Sequence, residues 1–342
     1  MSCHGTKTPS YVLAAHAVTT ARTVPVTIEM DGDELDAADA WRMARKVGVV
    51  HLLRDSFVRF RYGDGFTNSR ALALQAALAV VPFLLALSGL AADIDQERPS
   101  RVIASTIQAV SPGAGQQDAL TGAVSGGVSS QEAGELALGF GLAFALLSMT
   151  TAMAQVERGL NRIYGIRRDR PAAAKYGRAA VMTALLAAPV GLGFLLLVAG
   201  GPFGDAMRAD YGWSEETDLI WDLGRWPLGV LLLVVSIAVM LDHSPRRRQP
   251  ALSWLALGSG IAVVLTMIAT GVLAAYVHIG DSFGDIYGPL AGMFALLLWS
   301  LMSSISFFFG AAVCAQLESC RAGELDPAHA DPGRPHSAEV VG

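Results

Sequence analysis

Charge is what this chain has least of. Asp, Glu, Lys and Arg make up 16% of its 342 residues, where an ordinary soluble domain carries roughly 25%. The net charge of −5 excludes a cationic nucleic-acid coat. Cysteine is also scarce: Cys3, Cys314 and Cys320 form no CxxC, so neither a disulfide framework nor a zinc signature is present. His4, His16, His51, His243, His278, His329 and His336 are dispersed. There is no HExxH, GxSxG elbow or Walker loop. The pairs Gly139/Gly141 and Gly258/Gly260 lack a third glycine and sit in apolar stretches, which fits close helix contact better than a phosphate cradle. These absences leave no catalytic centre, cofactor site or metal site to predict.

What is present is hydrophobic length. The apolar set AVILMFWYC is 52% of the chain. Residues 71–92, 136–156, 179–204, 226–241, 249–280 and 286–317 contain no formal charge. A charge at bilayer depth costs at least ~2.5 kcal/mol, and about 20 apolar residues cross the hydrocarbon core. The fourth run is short, but Trp226 with Arg225 at one end and Asp242-His243 at the other suit interfacial anchoring. The expected fold is therefore all-α: a polytopic bundle of six transmembrane helices, with spans near 70–92, 136–156, 179–201, 225–241, 251–278 and 288–316, inside a membrane domain of residues 39–321. Flanking it, residues 1–38 and 322–342 read as disordered cytoplasmic segments.

Loop charge alternates in sign. The second and third spans are joined by a segment with Arg158, Arg162, Arg167, Arg168, Arg170, Lys175 and Arg178, and the fourth and fifth by one with Arg246, Arg247 and Arg248. Residues 205–222 and 281–285 are acidic. The positive-inside bias then places both termini in the cytoplasm. No secretory signal is evident in the first 35 residues.

From Trp41 to Tyr62, Met43, Val47, Val50, Leu53, Phe57 and Phe60 recur at spacings of three and four, with Arg42, Arg45, Lys46, Arg54, Arg59 and Arg61 between them. This predicts one amphipathic helix lying on the membrane surface with its arginines on lipid phosphates, or else packed on the protein's own cytoplasmic face. Within the loop 93–135, RVIASTIQAVSP predicts a short external helix, followed by a glycine- and serine-rich hinge over Thr121 to Ser130.

Polar groups at span depth are the candidate pathway or gating residues, because each needs a partner or a task. They are Gln75, Pro82 in the middle of the first span, Gln155, Glu157, Arg158 and Asn161. Ser148, Thr150 and Thr151 line a substrate path or bond their own helix carbonyls. In the last span Ser303, Ser306, Gly310 and Cys314, preceded by Gly288 and Gly292, form a small-residue packing face. His278 marks the external end of the fifth span, near Asp281 and Asp285.

The stretches RALALQAALAVVPFLLAL, LNRIYGIRRDR, YGPLAGMFALLLW and FFFGAAVCAQLESCR together resemble the YihY/BrkB family of bacterial inner-membrane proteins, over roughly residues 45–321. One departure is Ala79-Val80-Val81, where family members commonly carry an aromatic pair before the proline. The resemblance implies six membrane helices, no established catalytic centre, and links to envelope lipid handling and serum resistance. A ribonuclease label also attached to the family finds no clustered carboxylates or histidine pair here. Three readings follow: a lipid-handling transporter or flippase-like protein, a non-transporting scaffold recruiting partners through its Arg-rich loops, and, least supported, a membrane-bound ribonuclease. The expected partners are membrane lipids with anionic headgroups at the basic loops. Nucleic acid is not expected, and homo-oligomerisation stays open.

Overall fold

The computed structural model describes residues 20–27, 36–93, 102, 131–166, 168–279 and 291–328. Among these the protein is all-helical, its β structure confined to one bridge between Ala21 and Ala328. The elements are α1 (Ala37–Val47), α2 (Val49–Tyr62), α3 (Gly65–Asp93), α4 (Gln131–Ile163), α5 (Ala172–Phe194), a π-helical turn (Leu195–Ala199), α6 (Gly200–Tyr211), α7 (Glu215–His243), α8 (Leu252–Ile279) and α9 (Ala291–Arg321). Among the described residues five stretches are long and apolar enough to cross a membrane: Leu138–Ile163, Ala172–Tyr211, Glu215–His243, Leu252–Tyr276 and Gly292–Arg321. The sixth expected span falls on α3, part of which lies outside the residues whose side chains are described.

The long helices pair in chain order. Antiparallel neighbours α3 and α4, α5 and α7, and α8 and α9 form three pairs, and each pair abuts the next, α9 returning to α3 to close a ring. Glycine sets two of the close approaches. A methyl group added at Gly258 would overlap the Cys314 sulfur and the Gly310 carbonyl, while one at Gly141 would lie 2.9 Å from the Pro82 carbonyl oxygen. No other residue lets the backbones come this near. Gly139 and Gly260, expected to act likewise, face open space.

Burial is strongly graded along the helices. The 31 residues of α9 measure roughly 46 Å, against a hydrocarbon core of about 30 Å. At one end Met293 and Phe294 are exposed, whereas Ala311, Ala312, Val313 and Ala315 are fully buried. The buried end is the one carrying the basic loops, and α1 and α2 pack there on α8, α9 and α3. On α7, Leu219, Ile220 and Leu223 are each more than two-thirds exposed, as expected for an apolar face meeting lipid acyl chains.

Several expectations change. The predicted continuous helix 41–62 breaks at Gly48, whose φ of +90° only glycine adopts readily, so α1 and α2 are separate. Of the two readings of this segment, arginines on lipid phosphates or packing on the protein's own face, Arg59 follows the second and is fully buried. The acidic loop expected over 205–222 shrinks to Gly212–Ser214. Ser214 caps α7 by accepting from the Thr217 amide, and Glu215, Glu216 and Asp218 complement the helix dipole, which extends the short fourth span by a further helical stretch. Disorder over 1–38 and 322–342 does not hold for residues 20–27 and 322–328, which are hydrogen-bonded to the helix ends. Residues 1–19, 28–35 and 329–342, the hinge 121–130, nearly all of the external helix, Asp281, Asp285 and Gly288 lie outside the described residues, as does the side chain of His278.

Candidate functional site

The predicted polar residues separate into two groups. Along the seam of α3 and α4, Gln155 donates from Nε2 to Asn68 Oδ1 at 2.8 Å, and Asn68 donates in turn to the Asp64 carbonyl at 2.9 Å. Gln75, seven residues on from Asn68 and so on the same stripe of α3, is half-buried, and its Oε1 is buried without a hydrogen-bond partner. Pro82 lies inside α3, which continues through it. Thr151 donates to the Ser148 carbonyl within α4, the intrahelical alternative.

Glu157, Arg158 and Asn161 gather instead around the α4–α5 turn. Glu157 is buried and lies 2.9 Å from Arg170 Nη1. Asp169 collects Asn161 Nδ2 at 3.0 Å, Lys175 Nζ at 3.4 Å and Arg158 Nε at 3.5 Å. Asn161 Oδ1 also accepts from the Arg246 amide at 2.8 Å, and Arg178 donates to the His243 carbonyl at 3.0 Å through Nε. These residues therefore staple three helix ends to one another. Burial disfavours the charged form of Asp169, but the Asn161 amide and the Lys175 ammonium outweigh it and hold the carboxyl below its ordinary value of 3.8. A folded pKa below the unfolded one means a stabilising contribution that is complete above the unfolded value and is lost as pH falls through the folded one. Protection of residues 164–171 against hydrogen exchange, taken relative to the intrinsic rate at each pH, is thus expected to fall below about pH 4, and Asp169→Asn should flatten that dependence. An unchanged pH profile in the variant would refute the assignment.

A third group was not among the predicted residues. Arg59, on α2, donates from Nε to Gln316 Oε1 at 2.8 Å, from Nη1 to the carbonyls of Arg22 at 2.8 Å and Ile163 at 3.3 Å, and from Nη2 to Ser319 Oγ at 3.1 Å. Burial pushes its guanidinium down to about 10, still protonated at neutral pH. Next to it Glu318, also fully buried, pairs through Oε1 with Arg247 and accepts from the Thr27 amide at 3.4 Å and hydroxyl at 3.3 Å. Arg247 lies over the Tyr164 ring at 4.8 Å. Burial raises the Tyr164 phenol well above its ordinary value, so it stays neutral. Two signals for this hub were legible: Arg59 falls on the helix stripe shared by Leu52 and Ser56, and Gln316, Glu318 and Ser319 interrupt an otherwise apolar helix.

On α9, Gly310 and Cys314 face Gly258, and Cys314 Sγ lies 3.6 Å from the Leu255 carbonyl oxygen. Ser306 is buried and bonds the Met302 carbonyl at 2.9 Å; Ser303 is half-buried, and Gly292 is buried. Among the described residues no group of three His, Cys, Asp or Glu side chains is placed to hold a metal ion.

Apolar helices with lipid-length exposed faces, closed at one end by a polar hub, define an integral, multi-pass helical membrane protein. The family model described as Virulence factor BrkB matches residues 56–334, and the chain belongs to that family. It is 23% identical over 268 residues to a putative ribonuclease-like protein, YfkH, of Bacillus subtilis, a match covering 78% of this chain and 95% of that one. A UPF0761 membrane protein of Chromohalobacter salexigens is 26% identical over 280 residues, 81% of this chain and 65% of the relative. Another, from an Azoarcus species, is 28% identical over 190 residues, 55% of this chain and 44% of the relative. The chain thus spans less than two-thirds of either UPF0761 protein. No solved structure matches it.

Proposed function

We propose that the protein is a lipid-handling transporter or flippase-like protein with six spans, α3 being the first, in a bacterial inner membrane with both termini cytoplasmic. The observation that carries this reading is the placement of polarity. Ionised groups gather at the two ends of the ring, while Asn68, Gln75 and Gln155 run along the α3–α4 seam. A lipid keeps its tails in the bilayer and needs polar side chains for its headgroup alone, whereas uptake of a soluble ion leaves deeper charges. The basic end suits anionic headgroups. There α2 turns Val50, Leu53 and Phe57 outward beside Arg54 and Arg61, and the exposed stripe continues through Phe66 to Leu74 and Leu78 of α3.

A nuclease reading has less support. Three carboxylates at the basic end are engaged by cations, Glu157 by Arg170, Asp169 by Lys175 and Glu318 by Arg247, which leaves these three poorly placed to hold a metal. A scaffold recruiting partners through the Arg-rich loops has less support, because Arg170, Arg178 and Arg247 are engaged in internal bonds. Reconstitution into vesicles of zwitterionic and anionic phospholipids, with a fluorescent-lipid accessibility assay, tests the proposal. Movement above empty vesicles is expected, and Gln155→Leu should reduce it at least fivefold while leaving the protein monodisperse. No movement with any of the anionic lipids would overturn the reading.

A further inference from the structure

We infer that residues 20–27 are a releasable strap that locks the three helix pairs together at the basic end, with the Arg247–Glu318 pair as its latch. In its consequence for lipid movement this rests on the transport reading; in its effect on access to the basic end it does not. The strap reaches a segment at the end of each pair. Its amides bond the Tyr62 carbonyl from Ala21 at 3.1 Å, the Pro327 carbonyl from Arg22 at 3.1 Å and the Tyr164 carbonyl from Val24 at 3.2 Å. Its carbonyls are held by arginines from elsewhere: Arg22 by Arg59 at 2.8 Å, Val24 and Pro25 by Arg247 at 3.3 and 3.1 Å. Through these bonds it joins α2, the end of α4, the α7–α8 connection and the end of α9.

The latch couples both sides of this arrangement. Arg247 holds the strap carbonyls and Glu318 at once, while Glu318 holds Thr27 of the strap. Neutralising Glu318 therefore weakens both grips on the same segment. The strap itself is an extended piece of chain with no helix or sheet ladder of its own, fixed by a handful of long-range bonds and the burial of Ala21, Val24 and Thr27. Such a segment opens at lower free energy than the helices it ties. Beneath it, Arg59 fixes Gln316, and Gln316 Nε2 lies 3.6 Å from Cys320 Sγ. Letting go of the Arg22 carbonyl thus loosens the packing over Cys320, which is 9% exposed when the strap is closed.

The native cysteine reports the transition. Full-length Cys3→Ser protein in nanodiscs, where both faces are accessible, is treated with a soluble maleimide and the modified peptides are counted by mass spectrometry. Cys320 should react at least tenfold faster in Glu318→Gln and in Thr27→Val than in the parent, while Cys314, buried against Leu255, changes less. Residues Ala21 and Ala328 face each other in an antiparallel bridge, where Cα atoms about 4.5–5.5 Å apart suit a disulfide. Oxidised Ala21→Cys with Ala328→Cys should abolish the gain, and reduction should restore it. The inference is overturned if Cys320 keeps its parental rate in both single variants with helicity and elution unchanged, or if the crosslink leaves the gain intact. Faster Cys320 modification in protein that moves no lipid would support the strap and overturn the transport reading alone.

Discussion

Arg59→Ala is expected to lower the stability of the protein by about 3–5 kcal/mol, the cost of dismantling a buried, charge-assisted network. The guanidinium is fully buried and donates to Gln316, Ser319 and the carbonyls of Arg22 and Ile163, so truncation leaves buried acceptors on separate segments without a donor. Arg59→Lys is expected to recover little. An ammonium is a point charge on a flexible stem and cannot hold the forked geometry that reaches α9 and the α4 end together. Unfolding by titration of a denaturing detergent into mild micelles, followed by tryptophan emission, reads the difference. A loss under about 1 kcal/mol, the scale of a surface substitution, would mean that the hub is a passive filling of the basic end.

The second large effect comes from a methyl group. Gly258→Ala is expected to cost about 1–3 kcal/mol through overpacking, because the new carbon overlaps the Gly310 carbonyl and the Cys314 sulfur and α8 must move off α9. Two residues on, Gly260 has nothing within 4 Å of the same position. There alanine is expected to be neutral or to stabilise by up to about 1 kcal/mol through helix propensity. Equal responses at the two positions would refute the close approach of α8 and α9. The contrast also separates packing from propensity, since both changes are the same chemistry on the same helix.

The membrane character of the chain was readable because charge is excluded from long runs, a signal that needs no tertiary information. Gln75 and Pro82 were visible for the same reason, as exceptions inside such runs. Helix ends were harder. The acidic stretch Glu215 to Asp222 is helical because Ser214 caps it and its carboxylates face the positive end of the dipole, yet hydropathy alone assigns those residues to a loop. The hub was hardest. Arg59 resembles its neighbours Arg54 and Arg61 in sequence, and what distinguishes it is the arrival of Gln316 and Ser319, more than 250 residues later, as partners. The role of residues 20–27 was illegible for a similar cause. An extended segment has no periodicity to detect, and its bonds go to carbonyls, which every residue owns.

Those long-range bonds have a consequence for biosynthesis. Arg22 bonds Glu324, 302 positions further along the chain. At roughly 5–20 residues per second, the first waits about 15–60 seconds for the second to be made. During that interval the spans before α9 are made while the basic end stays unsealed, with Arg59 and Arg247 lacking their α9 partners. Closure is therefore the last event of assembly, and a chain cut short before Glu318 inserts without ever sealing. In an unfinished chain residues 20–27 can still meet the carbonyls of Tyr62 and Tyr164 but lack Pro327 and Glu318, contacts that only late sequence supplies.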